Sequence, residues 1–281
     1  MGNLIFHGVD AAELAEKYGT PLYVVSEDEI TRRLREIKSC FDERSANCST
    51  FFAAKSFLTR DMLRIIEREG VGLDVVSEGE LFLARDMSFP PDRIAFHGNS
   101  KTEEEIVAGM EYGVGKFVCD SVGEIDMIDA IFGAASTAAR VLLRVAPGVD
   151  AHTHRHISTG GTDSKFGLPL SSLADAVSLC CGLEKVALEG FHFHVGSQLM
   201  DNAAHLEALG VILPLMRDLR RNLGFETRTL DMGGGFGVRY TDEDEPQPIS
   251  EFIGGMVGCV EKFCEENDMP IPALIVEPGR W

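Results

Sequence analysis

The chain has 281 residues, 44% hydrophobic and 25% charged, with a formal net charge of −19. This is ordinary globular composition with ample length for a large core, and the acidic balance argues against a broad nucleic-acid surface, which needs a basic face. No apolar run approaches the about 20 residues that span a bilayer, the acid-bearing N-terminus MGNLIFHGVDAAELAEKYG lacks a signal-peptide core, and seven cysteines with no CxxC pair fit a reduced, cytoplasmic setting.

Strand-like and helix-like segments alternate from residue 26 onward. Ser26 with Glu29 marks a helix start, and STFFAA (49–54) then runs into Lys55, a lone cation at the end of an apolar stretch. VGLDVV (71–76) carries Asp74; RIAFHG (93–98) runs into His97, Asn99 and Lys101; KFVCD (116–120) ends on Asp120. Each is followed by a Ser or Thr with Glu three residues on (Ser77 and Glu80, Thr102 and Glu105, Ser121 and Glu124), the pattern of a helix capping box. RVLLRV (140–145) brings Arg144 and opens the long polar loop GVDAHTHRHISTGGTDSKFG (148–167), of a length usual for functional lids. ALEGFHFHV (187–195) carries His192 and His194 and continues into Gly196, Ser197 and Gln198; a helix over 201–223 stops at Gly224. RTLDMG (228–233) brings Asp231 and the run Gly233–Gly235, the acidic YTDEDEPQP (240–248) reads as a solvated loop, and ALIVEP (273–278) delivers Glu277, Pro278, Gly279 and Arg280.

Eight such units predict an α/β protein of the (β/α)8 TIM-type barrel class, with a doubly wound open sheet as the structural alternative. Active sites of such barrels lie at the C-terminal ends of the strands, and there the polar residues fall. His192 and His194 share a strand face, opposite Phe191, Phe193 and Val195; His192 reads first as a hydrogen-bonded core histidine and His194, nearer the strand top, as a site residue. Three consecutive glycines after strand seven allow backbone N–H groups close to an anion, with Ser197 and Arg280 as further donors. Lys55 is either a lysine snorkelling to solvent or a semi-buried amine made nucleophilic by desolvation. Glu277 needs a cationic partner, either Arg280 or a protonated heteroaromatic nitrogen. A lysine, an anion nest, a flat histidine and a carboxylate together match the needs of pyridoxal 5'-phosphate. A zinc hydrolase built on His192, His194 and the HTHRH loop (152–156) is the competing enzyme reading. A barrel that binds the cofactor without turnover is the non-enzyme one.

The motifs resemble those of a known family. FFAAKS around Lys55, GLDVVSEGEL (72–81), HGNSK (97–101), RVAPGVDAHTHRHISTG with SKFG (144–167), HFHVGSQ (192–198), LDMGGGFG (230–237) and EPGR (277–280) are similar to those of the diaminopimelate decarboxylases. These are group IV decarboxylases of the alanine-racemase-like fold class, which also holds ornithine and arginine decarboxylases. The resemblance implies that Lys55 holds pyridoxal phosphate covalently, that His194 stacks on its ring and that Glu277 pairs with the ring nitrogen. It implies that Ser197, Gly233, Gly234, Gly235 and Arg280 surround the phosphate, that Asp74, Pro278 and Gly279 belong to the cofactor site, and that Arg280 also meets a substrate carboxylate. The catalytic set is Lys55, His194 and Glu277, with no metal. The implied reaction converts meso-2,6-diaminopimelate to L-lysine, in a cytoplasmic enzyme of lysine biosynthesis that is a homodimer at full length; a related amino-acid decarboxylase is the alternative. The implied division is an N-terminal segment over 1–26, which in the family packs with a C-terminal β domain, and the cofactor-binding barrel over 27–281. Two departures stand out: Ala146 replaces the family's usual asparagine, and the sequence stops at Trp281, before the family's last helix and β domain with its catalytic cysteine and tyrosine. The expectation is therefore a barrel cut after strand eight, lacking its eighth outer helix and exposing apolar surface there, with weak cofactor binding and little activity of its own.

Overall fold

The computed structural model describes residues 3–42, 44, 46–149 and 166–281. Eight parallel strands close into a barrel in chain order: β1 (Cys48–Ala53), β2 (Gly72–Val75), β3 (Ile94–Phe96), β4 (Lys116–Cys119), β5 (Ala139–Ala146), β6 (Val186–His192), β7 (Thr229–Gly234) and β8 (Ala273–Glu277). β8 pairs with β1, through Leu274 with Cys48 and Val276 with Thr50, which leaves the barrel no open edge. The open-sheet alternative is thereby excluded.

The two-residue period of the strands explains the interior. In β2, Leu73 and Val75 join the large apolar cluster under the helices, while Asp74 between them faces the axis. In β8, Leu274 and Val276 face the helices and Ile275 and Glu277 face inward. Phe191, Phe193 and Val195 likewise lie in the outer cluster, as their alternation with His192 and His194 predicts. A smaller apolar cluster of Phe51, Ala95 and Ile275 fills part of the inner face. Gly72 makes room for it, since a methyl group there would meet the Phe51 ring at 2.7 Å.

The expected gap in the outer ring is not there. The helix Glu27–Ser39, capped by Ser26, contacts both the helix Arg60–Arg68 after β1 and the helix Ile249–Glu266 after β7, and buries Leu34 and Ile37 in the main core. A helix that precedes β1 can do this because closure places β1 beside β8.

The capping pattern is also partly different. Only Thr102 and Glu105 form the full reciprocal box, at 3.2 and 2.9 Å. Glu80 and Glu124 reach one residue further back, accepting from the N–H groups of Val76 (2.6 Å) and Asp120 (3.0 Å), and so brace the ends of β2 and β4 at the barrel mouth. The helix Ala203–Leu223 ends at Gly224 in the left-handed conformation. Residues 5–18 form a small hairpin and the helix Ala11–Tyr18, none of whose residues is buried. No described helix is long and apolar enough to cross a membrane.

Candidate active site

The floor of the site is a fully buried cluster of acids and histidines on the inner face. Glu277, at the end of β8, places Oε1 2.9 Å from Nε2 of His97 and Oε2 3.5 Å from Nε2 of His192. His97 Nε2 also lies 3.7 Å from Asp74 Oδ1, and the two imidazoles meet edge to face at 4.8 Å. The His97 N–H donates to the Val75 carbonyl at 2.7 Å, fixing the loop after β3 against β2. Asp231 Oδ1 accepts from the N–H of Gly233 at 3.0 Å. Burial pushes Asp74 and Asp231 above the usual carboxylate range; His97 opposes the shift at Asp74. Burial acts the same way on Glu277, but His97 and then His192 outweigh it and hold Glu277 well below that range. Burial pulls His192 down to about 3, so this imidazole is neutral.

The rim is more open. Lys55 lies not on β1 but in the 3-10 turn Ala54–Ser56 beyond it, and it is exposed. The expectation of a semi-buried, desolvated lysine is therefore wrong: the strand ends at Ala53, and the extra turn lifts the amine to the mouth. The turn is held by Ser56 Oγ donating to the Ala53 carbonyl at 2.8 Å and by the Ala53 N–H donating to the Pro278 carbonyl at 3.0 Å. Gly279 packs beside it, where a methyl group would sit 3.2 Å from Ala53 Cβ and Ser56 Oγ.

His194 is half-buried, and burial, then the nearby Lys55 charge, hold its proton affinity well below that of free imidazole. Its Nδ1 accepts from the Gly234 N–H at 3.4 Å. Gly233 and Gly235 take φ of +66° and +91°, and side chains there would collide with the Phe193 and Gly196 carbonyls. Beneath this turn, buried His205 holds the Gly234 carbonyl through Nε2 at 2.9 Å. Arg280 is exposed, donates to Ser197 Oγ at 3.3 Å and lies 5.8 Å from the Tyr240 ring. Two adjoining cavities, about 630 and 440 Å³, share Lys55, His194, Ser197 and Glu277 in their walls. The larger opens toward Arg280 and Tyr240, the smaller toward Asn99, Arg144 and Phe166.

Of the residues singled out in the sequence, Lys55, His194, Ser197, Gly235, Glu277, Gly279 and Arg280 line the larger cavity. Gly233 and Gly234 form its glycine turn, Asp74 belongs to the floor, and Pro278 ties β8 to the Lys55 turn. Glu277 is partnered by His97 and His192 rather than Arg280, which turns to Ser197. His192 is buried as a core histidine would be, but its contact with Glu277 is long. Lys101 is not part of the site: it is buried behind it, donating to the carbonyls of Gly98 (2.8 Å) and Val118 (2.9 Å) and pairing with Glu124 at 2.6 Å. The roles of His97, Asp231 and His205 were missed. The HGNSK motif was the available signal for His97, and the aspartate opening DMGGGFG for Asp231. Residues 150–165, including the HTHRH segment of the zinc alternative, lie outside the described residues. His192 turns to Glu277 and His194 to Gly234.

Comparison with known proteins places this geometry. The family model of the pyridoxal-dependent decarboxylases, pyridoxal binding domain, matches residues 27–281. The chain belongs to that family. It shares 40% identity over 281 residues with the diaminopimelate decarboxylase of Bacillus methanolicus, spanning 99% of this chain and 65% of that protein. With the diaminopimelate decarboxylase of Mycobacterium tuberculosis H37Rv it shares 40% over 286 residues, spanning 100% of this chain and 63% of that protein. Among solved structures, diaminopimelate decarboxylase from M. jannaschii in co-complex with L-lysine superposes with a TM-score of 0.89 at 33% identity, covering 99% of this chain and 65% of that one. The Helicobacter pylori enzyme complexed with L-lysine gives 0.88 at 28%, covering 96% and 66%. The chain thus spans just under two thirds of the length of these relatives.

The residues present fit pyridoxal phosphate. At one end of the cavity a glycine turn and Arg280 suit a dianion; on the wall Lys55 offers an amine; on the floor the Glu277 carboxylate suits a protonated ring nitrogen. Buried polar atoms there, Asp74 Oδ1 and Oδ2, have no hydrogen-bond partner within the protein. Such atoms mark a place built for further polar contact.

Proposed function

We propose that this chain is the cofactor-bearing barrel of a diaminopimelate decarboxylase, releasing carbon dioxide from meso-2,6-diaminopimelate to leave L-lysine in the cytoplasm, in a protein that is a homodimer at full length. The domain division proposed is a segment over 1–26 and the barrel over 27–281, the latter being the span of the family match. The observation that carries the reading is the sharing of one cavity system by Lys55, His194, Ser197 and Glu277, with the glycine turn and Arg280 at its outer end.

Pyridoxal phosphate, when bound, supplies an electron sink for the pair left behind when carbon dioxide departs. Lys55 would hold it through Nζ, and its exposed turn leaves that amine free to move at the mouth. His194, oriented by the Gly234 N–H, presents a neutral ring face. Glu277, kept anionic by His97, keeps a proton on a nitrogen placed against it and so maintains the sink. The glycine turn, Ser197 and Arg280 bind the phosphate, and Arg280, exposed at the mouth, also receives a substrate carboxylate. Asp74 stands behind His97 and orients it.

The test is carbon dioxide release by the whole protein from meso-diaminopimelate, L-lysine, L-ornithine and L-arginine, with and without added pyridoxal phosphate. The expected result is cofactor-dependent release from meso-diaminopimelate in clear preference to the other three. Faster release from L-ornithine or L-lysine would overturn the substrate assignment, and no dependence on pyridoxal phosphate would overturn the mechanism.

A further inference from the structure

We infer that Asp231 is a positioning residue that carries a proton and donates it to Glu277, holding that carboxylate anionic and tying it to the glycine turn. The functional part of this inference rests on the reading above; the location of the proton does not.

Asp231 is completely inaccessible on the inner face of β7. Its Oδ1 is occupied by the N–H of Gly233, the residue that starts the left-handed turn. The remaining oxygen, Oδ2, has no donor within the protein, and the side chain faces Glu277, which lies on the same buried face of β8 two positions beyond Ile275, the register partner of Asp231. Two carboxylates in contact and out of water cannot both be ionised, so one proton lies between them.

The surroundings decide which oxygen keeps it. Glu277 has an imidazole nitrogen at 2.9 Å and a second at 3.5 Å. Asp231 has one backbone N–H, with another acid, Asp74 of β2, as its neighbour. His192 of β6 lies opposite it in register and is neutral. The cations that feel Asp231, Lys116 of β4 and Arg144 of β5, each lie nearer another acid, Glu189 and Asp120 respectively, at 3.8 Å. The anionic charge therefore belongs on Glu277 and the proton on Asp231. One neutral acid then does two things: its O–H stabilises the charge on Glu277, and its carbonyl oxygen fixes the first N–H of the glycine turn.

Infrared spectroscopy of the chain without cofactor, labelled with carbon-13 in the aspartate carboxyls, tests the protonation directly at about pH 7. The expected spectrum has a protonated aspartate C=O band that D231N removes. A wild-type spectrum with no such band, or one that D231N leaves unchanged, would overturn the inference. Titration with pyridoxal phosphate supplies the second arm. Asparagine keeps an acceptor for Gly233 and a donor for Glu277, so D231N should bind within about threefold of wild type, while D231A should bind about tenfold more weakly or worse. Equal losses in the two variants would show that charge, not the donated hydrogen bond, is what matters, and would also overturn it. If the wild-type chain binds no pyridoxal phosphate, the functional reading fails while the infrared band still decides where the proton is.

Discussion

The floor and the rim of the barrel mouth are built on opposite terms. On the floor, Asp74, His97, His192, Asp231 and Glu277 are all at most 4% exposed, and each is fixed by its strand or by a neighbour's N–H. At the rim, Lys55 and Arg280 are exposed and are held by a turn and by a single hydroxyl contact. The contrast matches two different tasks. Charge that must be stabilised out of water needs groups that do not reorganise, and burial supplies that at the cost of forced protonation states. The roles proposed for Lys55 and Arg280, exchanging partners and receiving a substrate, need freedom, which exposure supplies. Substitutions on or behind the floor should therefore be severe and those at the rim mild, apart from Lys55, the residue proposed to carry the cofactor.

The largest effect is expected behind the floor. Lys101→Met leaves the Glu124 carboxylate buried without its cation and should destabilise the fold by about 3–5 kcal/mol in chemical denaturation, whereas K101M/E124Q should recover most of the loss. A single variant that costs less than about 1 kcal/mol would show that this scaffold is softer than the packing implies. Next comes Glu277→Gln in the whole protein, where kcat should fall by about 10²-fold or more with less than tenfold loss of pyridoxal phosphate affinity. Lost cofactor with unchanged turnover per bound cofactor would move Glu277 from chemistry to binding.

His205 gives a pH-dependent effect of similar origin. Burial holds its imidazole at about 4, against 6.5 for the free group. The unfolded chain thus takes up a proton that the folded chain refuses, and stability falls as pH drops from about 6.5 toward about 4. The loss at pH 4 is about 3 kcal/mol from this group. Denaturant midpoints of wild type and His205→Gln across that range should converge on acidification; parallel curves would contradict the assignment. The smallest effect belongs to the rim: Ser197→Ala should leave stability unchanged and weaken cofactor binding by less than about tenfold, the range of one partly exposed hydrogen bond.

What the sequence shows of this molecule divides along the same line. Strand order, the outward apolar faces and the motif residues of the rim are readable because they depend on period and on local composition. The environment of Lys55 is misread because the heptapeptide FFAAKSF does not reveal that the strand ends two residues before the lysine. The partners of Glu277 are hidden for a different reason. His97 and His192 lie 180 and 85 positions earlier in the chain and reach Glu277 only across the closed barrel. Circular closure also lets the helix Glu27–Ser39 fill a ring position that a linear reading leaves empty. The floor is thus a property of the closed barrel, and motifs name its members without showing how they pair.

Every step proposed at this site depends on Lys55 being the residue that holds the cofactor. Borohydride reduction of the protein loaded with pyridoxal phosphate, followed by peptide mapping, should place the label on the peptide containing Lys55 and lose it in Lys55→Ala. Label on Lys101 or Lys165 instead, or a Lys55→Ala protein labelled as fully as wild type, would contradict it.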